Sequence, residues 1–139
     1  MKTRIESFLK PKQVGLAENS FVTMKPKSGT SKEDQKFILQ CREIIDKNMH
    51  RDDFNVDFLA SELGMSHSSL YKKVKAITGK SVVDMIVGCR IFRAVELFHS
   101  GVTNMTTVAD KCGFSDLHSF RASFKSRMGM PPKQFVQQM

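Results

Sequence analysis

Asn55-Val56-Asp57-Phe58-Leu59-Ala60-Ser61-Glu62-Leu63-Gly64-Met65-Ser66 returns at an offset of 49 as Asn104-Met105-Thr106-Thr107-Val108-Ala109-Asp110-Lys111-Cys112-Gly113-Phe114-Ser115. The apolar positions, the Ala, the Gly and the Ser coincide. Further on, Leu70, Val74, Lys75 and Gly79 match Phe120, Phe124, Lys125 and Gly129 at an offset of 50, so one residue has been inserted in the second turn. Each copy reads as helix, glycine-containing turn, helix, which is the helix-turn-helix pattern. Ala60 and Ala109 are small where the two helices of a unit must cross closely. Gly64 and Gly113 supply the positive φ that stops the first helix and redirects the chain. One such unit is moderate evidence, because glycine turns join many helix pairs; two with the same layout are specific.

Outward from the repeat, the apolar residues keep helical spacing. Upstream, Phe37, Ile38, Cys41, Ile44, Ile45 and Met49 form one stripe of a helix starting near Glu33. Asn55 caps the next helix, with Val56, Leu59, Ala60 and Leu63 inward. Ser66 or His67 starts the third, with Leu70, Val74 and Ile77 inward and Gly79 at its close. Ser81 opens a long helix to His99 carrying Val82, Met85, Ile86, Cys89, Ala94, Leu97 and Phe98. The second unit follows with Met105, Val108, Ala109 and Cys112, then Asp116 as a cap before Phe120 and Phe124. Pro131 and Pro132 start a short last helix with Phe135 and Val136. The expected fold is all-α, about seven helices: two helix-turn-helix subdomains, 55–79 and 104–129, joined by a long linker helix over 81–99. The folded part spans 34–139. Residues 1–33 read as a basic tail or linker, with Ile5, Phe8 and Leu9 in a short helix-like pattern that suits either the end of an upstream domain or a disordered tail.

The net charge of +8 favours a polyanionic partner. Its distribution is more informative than its size. Ser31 to Met65 holds five Lys/Arg against eight Asp/Glu, whereas Ser66 to Met139 holds eleven against four. The basic surface therefore begins where the first candidate recognition helix begins. The third helix turns Ser68, Ser69, Tyr71, Lys72 and Lys75 away from its apolar stripe, and its counterpart turns out Leu117, His118, Arg121, Ala122 and Lys125. Ser and Lys can bond base edges, Tyr can meet a thymine methyl or a phosphate, and Arg121 can bond guanine in a bidentate fashion. The alternative is that these are the solvated faces of amphipathic helices.

Other chemistry finds little support. Cys41, Cys89 and Cys112 are odd in number and fall at core-like positions, so they read as buried reduced thiols. His50 and His99 sit near helix ends, where capping or exposure is expected. No His or Cys pair has metal-ligand spacing, and no phosphate loop, nucleophile elbow or carboxylate pair stands out; no enzyme, metal or cofactor is expected. The N-terminus lacks an apolar signal-peptide core and no run reaches membrane-span length, which points to the cytoplasm.

With these residues in place, the chain resembles the AraC/XylS family of bacterial transcription regulators from about Asp34 to Gln138. The resemblance is carried by Phe58 to Ser66, by Ser69-Leu70-Tyr71-Lys72-Lys73-Val74-Lys75 with Thr78-Gly79, and by Arg90 to Leu97. It continues in Val108-Ala109, Cys112-Gly113-Phe114-Ser115, Phe120, Phe124-Lys125 and Gly129-Met130-Pro131-Pro132. It implies two recognition helices entering successive major grooves of double-stranded DNA. It assigns base contact to Ser68, Tyr71 and Lys72 in the first unit and to Leu117, His118 and Arg121 in the second. Phosphate contact passes to His67, Lys75, Ser115, Ser119 and Lys125. The order Arg121-Ala122 departs from the family pattern, in which the basic residue follows a small one.

Thr3 to Leu9 resembles the last helix of a receiver domain, and the Lys-rich connector resembles that of hybrid two-component sensors. The implied partners are a promoter operator, RNA polymerase and an upstream receiver or sensor domain, with dimerisation through regions outside this chain. Two rival readings remain at this level: a nonspecific nucleic-acid-binding protein and a helical adaptor that binds other proteins.

Overall fold

A computed structural model describes residues 30–139; the expected helix over Thr3 to Leu9 and most of the connector lie outside the described residues. Seven helices and no strand occupy the described part: α1 Lys32–Asn48, α2 Val56–Glu62, α3 His67–Thr78, α4 Val82–His99, α5 Met105–Lys111, α6 Leu117–Met128 and α7 Pro132–Gln137.

The repeat in the sequence is a repeat in hydrogen bonding. At the start of α2 the Asn55 side chain accepts the Phe58 N–H at 2.8 Å, and at the start of α5 Asn104 accepts the Thr107 N–H at 2.9 Å. The α2 and α5 ends are equally alike. Met65 N–H returns to the Ala60 carbonyl and Phe114 N–H to the Ala109 carbonyl, both at 2.9 Å. This is the wide closing bond of a glycine-terminated helix end, which satisfies a carbonyl that the helix itself leaves open. Ser66 and Asp116 then cap α3 and α6, accepting the N–H of Ser69 and Ser119.

Two cores result, and α4 serves both. Val82, Met85, Ile86 and Cys89 pack with α1, α2 and α3, around Ile38, Ile45, Leu59, Leu70 and Val74. Residues Ile91 to Phe98 pack with α5, α6 and α7, around Val108, Phe120, Phe124 and Phe135. Phe98, Phe124 and Phe135 meet at centroid distances of 5.5 to 5.9 Å, filling the space beneath α7. The helix that joins the units is thus a shared wall, buried on two faces in turn, and Ile91 and Val95 belong to the core beside the residues its stripe predicts. His99 corrects the sequence reading. It is half-buried, stacked on Phe135 at 6.2 Å, and burial lowers its pKa.

The two turn glycines, equivalent in sequence, differ in their surroundings. Both have positive φ, +69° at Gly64 and +87° at Gly113. A Cβ on Gly64 meets nothing within 4 Å, whereas a Cβ on Gly113 collides with the backbone carbonyl of Met49. Gly64→Ala should therefore cost only the left-handed strain, about 1 kcal/mol. Gly113→Ala adds a backbone clash that must displace the end of α1, and should cost about 3 kcal/mol or more. Paired thermal unfolding curves check this; equal losses would mean that α1 and the second turn do not touch.

Candidate nucleic-acid interface

Each recognition helix carries only neutral and basic side chains: α3 has Lys72, Lys73 and Lys75, and α6 has Arg121, Lys125 and Arg127. Their apolar sides are spoken for by the two cores. Of the residues read as DNA contacts, His67, Ser68, Lys72 and Lys75 are exposed on α3, and Ser115, His118, Arg121 and Lys125 are exposed in the second unit. Tyr71 and Leu117 are half-buried, packed against the first and second core respectively, so each offers an edge rather than a whole side chain. Ser119 is also half-buried, and its N–H is already given to the Asp116 carboxylate at 2.7 Å. That bond holds the Asp116 carboxyl below the usual carboxylate range.

At the α3 N-terminus, sequence reasoning missed a local network. Asp57 Oδ1 on α2 lies 2.8 Å from His67 Nδ1, and the His67 ring stacks on Tyr71 at 5.3 Å with planes 9° apart. Asp57 thereby orients the ring against which Tyr71 rests. The second unit has Thr106, Leu117 and Arg121 at the equivalent positions, so the same network cannot form there. The two exposed helix faces are built on one backbone plan with different chemistry.

The three cysteines are buried. Burial pushes the Cys41, Cys89 and Cys112 thiols up to about 12, which keeps them protonated and unreactive. Burial also lowers the pKa of the Arg90 guanidinium. Among the described residues, no group of three or more His, Cys, Asp or Glu is placed to hold a metal ion, and no helix is long and apolar enough to cross a membrane.

A family model described as a helix-turn-helix domain matches residues 59–138. Among curated proteins, the chain is 27% identical over 102 residues to Histidine kinase P4 of Formosa agariphila, covering 73% of this chain and 7% of that one. It is 33% identical over 96 residues to the HTH-type transcriptional regulator AdiY of Escherichia coli, covering 69% of this chain and 37% of the regulator. The chain therefore spans only part of the curated relatives it matches. Among solved structures, the C-terminal domain of AraT, a response regulator from Geobacillus stearothermophilus, superposes with a TM-score of 0.68 at 25% identity, covering 81% of this chain and 89% of that domain. The chain belongs to the AraC-type helix-turn-helix family of DNA-binding transcription regulators.

Proposed function

We propose that this domain, residues 34–139, reads a defined duplex sequence by placing α3 and α6 in successive major grooves on one face of the DNA. The observation that carries the reading is the architecture of α4. Its 18 residues span about 27 Å at about 1.5 Å per residue, with a copy of the same helix-turn-helix unit packed at each half. One turn of duplex is about 34 Å, so both recognition helices can reach one face of a straight or gently bent site.

Ser68, Tyr71 and Lys72 then face base edges in one groove, and Leu117, His118 and Arg121 in the next. His67, Lys75, Ser115, Ser119 and Lys125 hold phosphates. Because the two faces differ, one chain should prefer a non-palindromic site. At a promoter the bound domain recruits or positions RNA polymerase, in the cytoplasm. Similarity to a response-regulator C-terminal domain and to a histidine kinase supports its use as the output end of a two-component protein, with residues 1–33 as the connector and dimerisation arising outside this chain.

Selection of bound fragments from a random duplex pool, repeated with variants, tests the assignment. Lys72→Ala or Arg121→Ala should relax preference at one or two base pairs, costing about 1–3 kcal/mol where the lost contact is bidentate. Lys75→Ala should weaken all sequences alike and lower the salt slope by about 1. The assignment fails if Lys75→Ala alone changes the base preference. Retention of every sequence equally would instead favour a nonspecific binder, and retention of none even at low salt a protein-binding adaptor.

A further inference from the structure

Along α4, Cys89 is the last residue of the first core and Ile91 is among the first of the second, so Arg90 stands at the seam between them. Its half-buried side chain leaves the helix toward the second unit, where Nη1–H donates to the Gly113 carbonyl. The guanidinium also lies over two rings, 5.8 Å from the centroid of Phe114 and 6.0 Å from that of Phe54. Phe114 follows the second turn glycine, whereas Phe54 belongs to the first core and immediately precedes the Asn55 cap. One cation therefore touches the start of the first helix-turn-helix and the turn of the second. The end of α1 closes the same joint, since the Met49 carbonyl leaves no room for a side chain at Gly113. A second strut runs the other way: Arg127 Nη2, in the last turn of α6, meets Asp84 Oδ1, in the first turn of α4, at 3.1 Å. Its Arg127 side chain is 14% exposed, so solvent screens this pair less than a surface one.

We infer that Arg90, assisted by the Arg127–Asp84 pair, is a positioning residue that fixes the distance and rotation between the two units and so selects the spacing of the two half-sites. This rests on the two-groove reading above. Each added base pair moves a half-site about 3.4 Å along the axis and turns it about 35° around the duplex. A braced pair of recognition helices tolerates little of that. A pair held only by packing on α4 can pivot at the seam. Lysine is a poor substitute, because the brace uses a planar cation that lies near two ring faces while it donates to a carbonyl.

The test is a spacer series, with the half-sites of the selected sequence separated by two fewer to two more base pairs and bound by the full chain. Wild type should lose about tenfold in affinity or more for each base pair away from the optimum, as expected when a rigid connector must engage both sites at once. Arg90→Lys should keep most of the affinity at the optimal spacing and flatten the profile, so that the penalty at one base pair falls to about threefold or less. Asp84→Asn cuts the second strut at a half-exposed carboxylate and should flatten the profile in the same sense; it serves where Arg90→Lys lowers the melting temperature too far to assay. A purely structural role would lower affinity at every spacing by one factor. A steep wild-type profile that the variants leave unchanged in shape overturns the inference alone. A flat wild-type profile overturns the two-groove reading and the inference with it.

Discussion

Val108→Asp should dismantle the second helix-turn-helix unit. Val108 has no exposed surface and sits in the cluster formed by Phe98, Phe120 and Phe124. A carboxylate there loses its hydration without a partner and should cost several kcal/mol, a large part of the roughly 5–15 kcal/mol that holds a domain together. In a domain of this size each kcal/mol lowers the melting temperature by about 4–8 °C, so thermal unfolding should show a shift of about 15 °C or more. Amide exchange should place the damage. Protection should fall in α5, α6 and α7, while the core around Leu59 and Leu70 keeps more of its own. Exposed Lys111, three residues along, offers a comparison in which the same change to Asp should move the melting temperature little. An unchanged melting temperature for Val108→Asp would mean that the second helix pair is misplaced.

What could be read from the chain and what could not divides along a physical line. Helix starts and turns rest on residues three to five apart, and these were legible. The Asn55 and Asn104 caps, the Ser66 and Asp116 caps and the glycine turns all fall where the repeat placed them. Cap and turn chemistry is local, and the second copy made it hard to mistake. The linker helix was legible as an element but not as a wall between two cores. A single apolar stripe cannot describe a helix that changes its buried face midway, and so Ile91 and Val95 fall outside it.

The contacts that fix the units to each other were not legible at all. Arg90 reaches Gly113 across 23 positions and Arg127 reaches Asp84 across 43; in the sequence both arginines look like ordinary basic residues of a DNA-binding protein. Likewise Tyr71 and Leu117, off the apolar stripe by periodicity, lean on the cores they border. For the candidate reading surface, the two helices and their basic character were legible. The sequence did not reveal that Asp57 and His67 shape the first face while the second face has no counterpart.

On the proposed reading, both units bind one duplex and are held at a fixed separation by α4. Five extra base pairs between the two half-sites probe this arrangement. Half a helical turn carries one half-site to the far side of the DNA and about 17 Å further along it. With Ile38, Leu59, Val108 and Phe124 all packed on or around the same 18-residue helix, neither unit can swing by that amount without leaving its core. One unit must let go. Binding then rests on the other unit alone, and its contacts are worth about 3–4 kcal/mol less in sum, a loss of about two to three orders of magnitude in affinity. Ten inserted base pairs restore the face but not the distance, and should recover little. The five-base-pair insertion should reduce affinity about a hundredfold or more, with the footprint shrinking from two protected major-groove segments to one. Unchanged affinity and two protected segments on the altered site would mean that α4 does not hold the two units at a fixed separation.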